Sequence, residues 1–352
     1  MVAPASILKT MLRKSIKKHP AYSAAATLMI VIAFCIWLVG LIINQQKQRD
    51  ENEWQITLGL IIEGRVKSIN RWINGEFASL QELSKNGSLQ LYIQQVLKTE
   101  DDTSKTIKAQ KGYLKNLVLS HAQRSGFIDL APQQQIRANV ATVSLSGIAI
   151  TNAEGKVITA TPGILPLSSA LLSTIARSRE SNKPQITPLL HRKFSNGKTA
   201  GQSIGFVVPV YGLSGLGKQQ QLIAMIIGFK NTADEFFHLL QATGSTIKTD
   251  EAYLIRQKNN NLYYESPLNN GSAVGTRQLD SNTVHLVAAH GVAEPGSFGQ
   301  GINYANQHVF YTSRRINETP WTLLQTIQHH EAMHNAEKHR TFLLTTLLLM
   351  CF

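Results

Sequence analysis

The first apolar run of the chain, AYSAAATLMIVIAFCIWLVGLII at residues 21–43, contains no charge and follows a polar, basic start. About 20 apolar residues cross a hydrocarbon layer of ~30 Å as a helix, so this run predicts a transmembrane span. A secretory signal peptide also places a basic stretch before an apolar run. Here the run is longer than a signal core, and the following NQQKQRDENE offers no small-residue cleavage site, which favours an uncleaved anchor. Beyond it Trp54, Leu58, Ile61, Ile62, Ile69, Ile73, Phe77, Leu80 and Leu83 recur at three- and four-residue steps, the period of an amphipathic helix continuing out of the span. Shorter helices are expected at 89–98 and 113–123, divided by the polar KTEDDTSKT.

From residue 142 the period shortens to two. VSLSGIAIT alternates and is β-branched, Asn152-Ala153-Glu154-Gly155 supplies a turn and KVITAT returns, which predicts a hairpin. A helix at 168–178, an extended ITPLL and turn chemistry at Ser195-Asn196-Gly197 follow. Two apolar strands, SIGFVVPVY and QLIAMIIGF, are joined by GLSGLGKQ and lead to a covering helix at 232–240. A second cycle of the same grammar opens at Glu251: EAYLIRQ, the turn Asn259-Asn260-Asn261 and LYYES form a hairpin, with a helix at 281–289 and strands at 308–315 and 321–327. TFLLTTLLLMCF at 341–352 is too short to cross a bilayer and apolar on every face. It reads as the start of a second span rather than as a surface tail, which would keep a polar face.

Charge gives this pattern a direction. The 352 residues carry 35 Lys+Arg against 22 Asp+Glu, a net +13, and Lys9, Arg13, Lys14, Lys17 and Lys18 fall before the first span with no acid among them. By the positive-inside rule residues 1–20 are a cytoplasmic stub and the region after the span lies outside. Nucleic acid is an unsupported partner, since no zinc-finger, basic-zipper or ribonucleoprotein motif accompanies the basic balance. The two cysteines, Cys35 and Cys351, sit in the apolar segments, so the outer region must hold together by packing without disulfides.

Candidate chemistry is sparse. Arg192 and Lys193, at a strand end beside a flexible loop, offer paired cations to an anionic ligand such as a carboxylate, and His191 and Tyr211 offer hydrogen bonds; the alternative is a solvated strand edge. His330-Glu331-Ala332-Met333-His334 is an HExxH, the zinc-peptidase spacing, and a membrane-tethered zinc peptidase is the alternative function. A catalytic zinc needs a third protein ligand, no downstream motif supplies one, and His329 and His339 make the stretch histidine-rich in any case. GLSGLGK joins two strands and lacks the GxxxxGK[ST] spacing, so it is not a phosphate loop. No paired-carboxylate, kinase or cyclase signature is present, so no catalytic residue and no cofactor is expected.

GIAITNAEGKVITATPG, RESNKPQITPLLHRKFSNGK, GFVVPVYG with LIAMIIGFKNTADEFF, EAYLIRQKNNNLYYESP and YTSRRINETPWTLLQTI, in that order between two apolar segments, resemble the double Cache family. These are PAS-like extracytoplasmic sensors of bacterial transmembrane signalling receptors. The resemblance covers residues 45–340 and implies an α+β fold: a long N-terminal helix with two stacked PAS-like antiparallel-sheet modules, flanked by transmembrane helices. The expected boundaries are 1–20 stub, 21–43 span, 44–340 sensor and 341–352 second span; within the sensor, 44–141 is helical, 142–248 the membrane-distal module, 249–328 the proximal module and 329–340 a connecting helix. The implied function is a homodimeric inner-membrane receptor that binds a small molecule outside and moves a helix, with any output module beyond Phe352. The Arg-x-Trp-Tyr cluster and late-strand Asp of the family's amino-acid binders are missing, since those stretches read HRKFSNG and GFKN. A ligand of the free amino-acid type is therefore not expected, and Arg192 and Lys193 point to a small anion such as a carboxylate.

Overall fold

The computed structural model describes residues 20–98, 105–128, 145–162, 164, 167–193, 199–213, 221–241 and 247–351. Residues 1–19 of the expected cytoplasmic stub, most of the KTEDDTSKT linker, the first residues of the predicted 142 strand, the turn at 195–197 and most of GLSGLGK lie outside them. Three helices come first: α1 (Pro20–Ser84), α2 (Gly87–Lys98) and α3 (Lys105–Arg124). In the first module follow β1 (Gly147–Asn152), β2 (Val157–Ala160), α4 (Ser169–Ser181), β3 (Gln185–Ile186), β4 (Leu190–Lys193), β5 (Thr199–Tyr211) and β6 (Leu222–Asn231). The second has β7 (Glu251–Lys258), β8 (Asn261–Tyr264), β9 (Gln278–Asp280), α5 (Val287–Ala293), β10 (Phe298–Ile302), β11 (His308–Arg315) and β12 (Thr322–Gln328), and α6 (His329–Cys351) follows directly. The fold is α+β, with one long helix and two six-stranded sheets ordered β2-β1-β6-β5-β3, with β4 also on β5, and β10-β11-β12-β7-β8-β9.

The chain divides into two compact units, 1–59 with 328–352 and 60–327. In the first, Met29, Ile30, Phe34 and Trp37 are each more than half exposed. This stretch has a mean hydropathy of 2.0 with none of it buried, a surface that water does not tolerate on a helix. It is the one candidate membrane span among the described residues. In the same unit Trp54 donates its indole N–H to the Ala332 carbonyl at 2.9 Å, tying α1 to α6.

In the second unit α1 buries Ile62, Ile69, Ile73, Leu80 and Leu83, the stripe expected from their spacing. These residues join one face of both sheets in a continuous core: Ile148 and Ile150 of β1, Phe206, Val208 and Val210 of β5, Ala224 and Ile226 of β6, and Leu254, Trp321 and Leu323 of the second module. Strand period two sends Val207, Met225, Ile227 and Phe229 to the opposite face, where Leu171 and Ile175 of α4 cover them. The second sheet likewise turns Tyr253, Ile255, Tyr264 and Leu324 toward α5. Close approach of α1 needs Gly228 on β6, because a Cβ there would stand 2.7 Å from Leu80 and 2.5 Å from Phe127. Ser168 caps α4, accepting from the Leu171 N–H, and Asn182 ends it in the left-handed conformation.

Several elements depart from the expectations. Residues 232–240 form a single π turn followed by a 3-10 turn instead of a covering helix. The helix expected at 281–289 begins only at Val287, and β9 and β10 are strands the alternation did not predict.

Candidate functional site

The candidate ligand residues fall into two places. His191 pairs with Gln202 and Arg192 with Gly201, whereas Tyr211, at the far end of β5, pairs with Leu222. Nine residues of strand separate Gln202 from Tyr211, about 30 Å at ~3.3 Å per residue, so the register does not bring Tyr211 into one site with His191. The Tyr211 hydroxyl instead donates to the Asn182 carbonyl at 3.3 Å. His191 is exposed, and its ring lies against Gly275 of the second module: a Cβ at Gly275 would stand 2.3 Å from the imidazole. Gly275 has φ +73°, so the close approach and the left-handed backbone both require glycine there. β4 therefore sits at the junction of the modules. The side chains of Arg192 and Lys193 lie outside the described residues.

His330 and His334 are one turn apart on α6, exposed, with ring centroids 5.8 Å apart. Among the described residues no group of three His, Cys, Asp or Glu side chains is placed to hold a metal ion.

The structure also assembles a polar interior in the second module, the proximal one of the expected boundaries. Tyr253 from β7, Tyr264 from β8 and Tyr304 from the loop before β11 meet with ring centroids 5.5 to 5.6 Å apart. Glu251, at the start of β7, accepts from the Tyr304 hydroxyl and from the Asn269 N–H, each at 2.7 Å. Burial raises its carboxyl pKa, and these two hydrogen bonds only partly oppose that. Burial likewise pushes the three phenols up, so they stay protonated. Among the described residues the Tyr264 hydroxyl and the Arg277 Nε have no hydrogen-bond partner, and the Tyr253 hydroxyl lies beside Thr326 without a well-formed bond. Orphaned polar atoms in a core cost about 1–3 kcal/mol each, so this cluster weakens the packing of the module that holds it.

Buried polar contacts run from this interior to α1. Asp250, next to Glu251, receives the Arg65 guanidinium at 2.9 Å, with side chains only 2% and 9% exposed. Gln325 of β12 bonds both Arg65 and Asp250. The distal module has its own tie, Glu76 of α1 to Lys230 of β6 at 3.3 Å, with the ammonium over the Phe127 ring. Burial raises the Glu76 pKa more than Lys230 lowers it. Between the two ties runs a chain of rings: Phe77 on Phe206 (5.2 Å), Phe206 on Trp72 (5.6 Å), Trp72 on Phe236 (5.1 Å) and Phe236 on Trp321 (5.7 Å). The Trp321 indole donates to Glu265 at 2.6 Å, and Arg256 pairs with the same carboxylate. Both modules thus grip the one helix, each through an ion pair and jointly through aromatic contact. None of these long-range partners is visible from spacing; only the apolar period of α1 and the strands pointed to a shared core.

No protein-family model matches the chain, and no curated protein matches it. Among solved structures it is similar to the ligand-binding domain of Mlp24 with asparagine, at 11% identity over 82% of this chain and 98% of that one, TM-score 0.49. It is also similar to the ligand-binding domain of the Pseudomonas aeruginosa PAO1 amino acid chemoreceptor PctC in complex with GABA, at 12% identity over 78% and 99%, TM-score 0.42. A third is an extracellular ligand binding receptor from Desulfohalobium retbaense DSM5692, at 13% identity over 75% of this chain, which spans 39% of that one, TM-score 0.42.

Proposed function

We propose that this chain is the sensing part of a transmembrane signal receptor of the double Cache type, anchored in a bacterial inner membrane with its modules outside. One observation carries the reading. A single helix of 65 residues exposes an apolar stretch from Met29 and, further along, buries its other stripe against both sheets. The ligand is a small anion, with Arg192 and Lys193 supplying charge and His191 a hydrogen bond at the module junction; Tyr211 belongs elsewhere. Binding favours one placement of α1 relative to α6, and a preference of ~1–3 kcal/mol suffices to shift a two-state receptor. Lys9 to Lys18 keep the N-terminus in the cytoplasm.

A melting-shift screen of small metabolites on the full chain in lipid nanodiscs tests this reading. A true ligand at a hundredfold excess over its Kd adds ~2.7 kcal/mol to apparent stability. At least one small carboxylate or other anion should raise Tm in proportion to the logarithm of its concentration, with Arg192→Ala needing at least tenfold more. If no metabolite stabilises the protein, or only cations do, the sensing role or the anionic ligand is lost.

A further inference from the structure

Apart from β4, a concave surface lies along α1. It is a groove of about 830 Å³ between the outward side of α1 and the end of β11, lined by Lys67, Asn70, Arg71, Arg314 and Arg315, with Glu63 its one carboxylate. Lys67 and Arg71 are one helical turn apart and exposed, so they share a face of α1. Arg314 and Arg315 come from the strand that packs beside it. Glu63 is already engaged by the Arg314 guanidinium, which holds that side chain across the gap from strand to helix. Among the described residues Lys67, Arg71 and Arg315 have no acidic partner.

Four cations around one groove repel one another, and a single glutamate offsets only one of them. Like charges at a helical i, i+4 step disfavour the helix by themselves, so the arrangement gains most when an anion occupies the groove. The volume suits a ligand of metabolite size. Guanidinium groups from two different elements present forked donors to oxyanions, and the Asn70 amide adds a neutral hydrogen bond.

We propose that this groove is a second ligand site that binds a multiply charged oxyanion, a polyphosphate or a polycarboxylate, bridging α1 to the proximal sheet. Its occupant pins the helix directly to the proximal module, so it sets how freely α1 responds to the site at β4. The site itself stands apart from the β4 reading, because its residues and its walls are different.

Titration calorimetry on the full chain in nanodiscs tests it, with inorganic pyrophosphate as the phosphate probe and citrate as the carboxylate probe at near-physiological salt. One of the two should bind saturably at one site per chain, and which one does so names the chemistry. Arg71→Gln and Arg315→Gln, both at exposed positions, should each weaken that binding at least tenfold without lowering the unliganded Tm. Arg179→Gln, an exposed arginine on α4, and Arg192→Ala should leave it unaltered. No saturable binding of either probe overturns the proposal, as does equal weakening by Arg179→Gln, which would mean diffuse attraction to a basic protein. Loss of binding in Arg192→Ala alone would assign the anion to β4 instead.

Discussion

On the side of its sheet away from α1 the distal module packs Leu171, Ile175, Val207, Met225, Ile227 and Phe229, whereas the proximal module places Tyr253, Tyr264, Tyr304 and Glu251 on the corresponding side. The strand-and-helix plan is similar, and the chemistry inside differs. An apolar interior gains ~25 cal/mol for each Å² of apolar surface buried and holds nothing to titrate. The tyrosine interior gives up part of that gain to buried hydroxyls and a carboxyl, and in return its energy depends on protonation and on hydrogen-bond partners. On the other side the contrast disappears, since both sheets share one core with α1. The modules therefore differ in the chemistry of one sheet face and share the other face with α1.

The shared core gives the largest expected effects. Phe206 and Trp321, both fully buried, belong to different modules but to one ring chain. Truncation of either to Ala should cost ~3–5 kcal/mol in urea unfolding of the full chain. The two costs should fall on one cooperative transition. Two separate transitions, each moved by only one variant, would mean that the modules fold and respond independently.

Next comes the proximal tie to the helix. Asp250→Ala strands the Arg65 guanidinium in a nearly dry site, with Gln325 as its remaining partner. The expected loss is about 3 kcal/mol, the low end for breaking a buried pair, because that partner persists. A loss under 0.5 kcal/mol would show that the pair is solvated and that α1 is held by apolar contact alone.

The tyrosine interior predicts a smaller effect that depends on pH. Burial raises the Glu251 pKa, so the folded state holds this proton more tightly than the unfolded chain. Its contribution to stability is present at acidic pH and is lost as pH rises from the ordinary glutamate value, 4.5, through the raised folded value. Glu251→Gln keeps an oxygen for Tyr304 and Asn269 and removes the titration. Stability measured from pH 4 to pH 8 should therefore fall less steeply in the variant, with a residual slope from Glu76, which is raised for the same reason. An unchanged slope would place the proximal interior in contact with water. Smallest of all, Tyr211→Phe removes a long, exposed hydrogen bond and should change Tm and ligand affinity within error.

Much of the frame was legible in the sequence because it rests on period. The charge-free run at 21–43, the three- and four-residue steps from Trp54 to Leu83 and the two hairpins are each set by local spacing, and the structure places a helix or strand at each. β9 and β10 escaped because Gln278–Asp280 is three residues long and Phe298–Ile302 carries two glycines, leaving no alternation to read. The candidate site was legible only in part. His191 and Tyr211 bracket the two ends of adjacent strands, and only the register shows them to be ~30 Å apart. Glu251 finds its partners 18 and 53 residues away, at Asn269 and Tyr304, and no local pattern marks a strand-initial acid as buried. The basic groove likewise depends on bringing residue 314 beside residue 63.

That α1 carries the state of the modules is tested most directly by the spacing of α1 and α6 just beyond the membrane. Spin labels at exposed Gln48 and Glu337 in the full chain, reconstituted in nanodiscs, report it by double electron–electron resonance. Saturation with the anion that stabilises the protein in the melting screen should move the distance distribution by on the order of 1–5 Å, the range of helix shifts in receptor switching. A distribution unchanged at full occupancy would contradict the account, because ligand would then bind without reaching the helix.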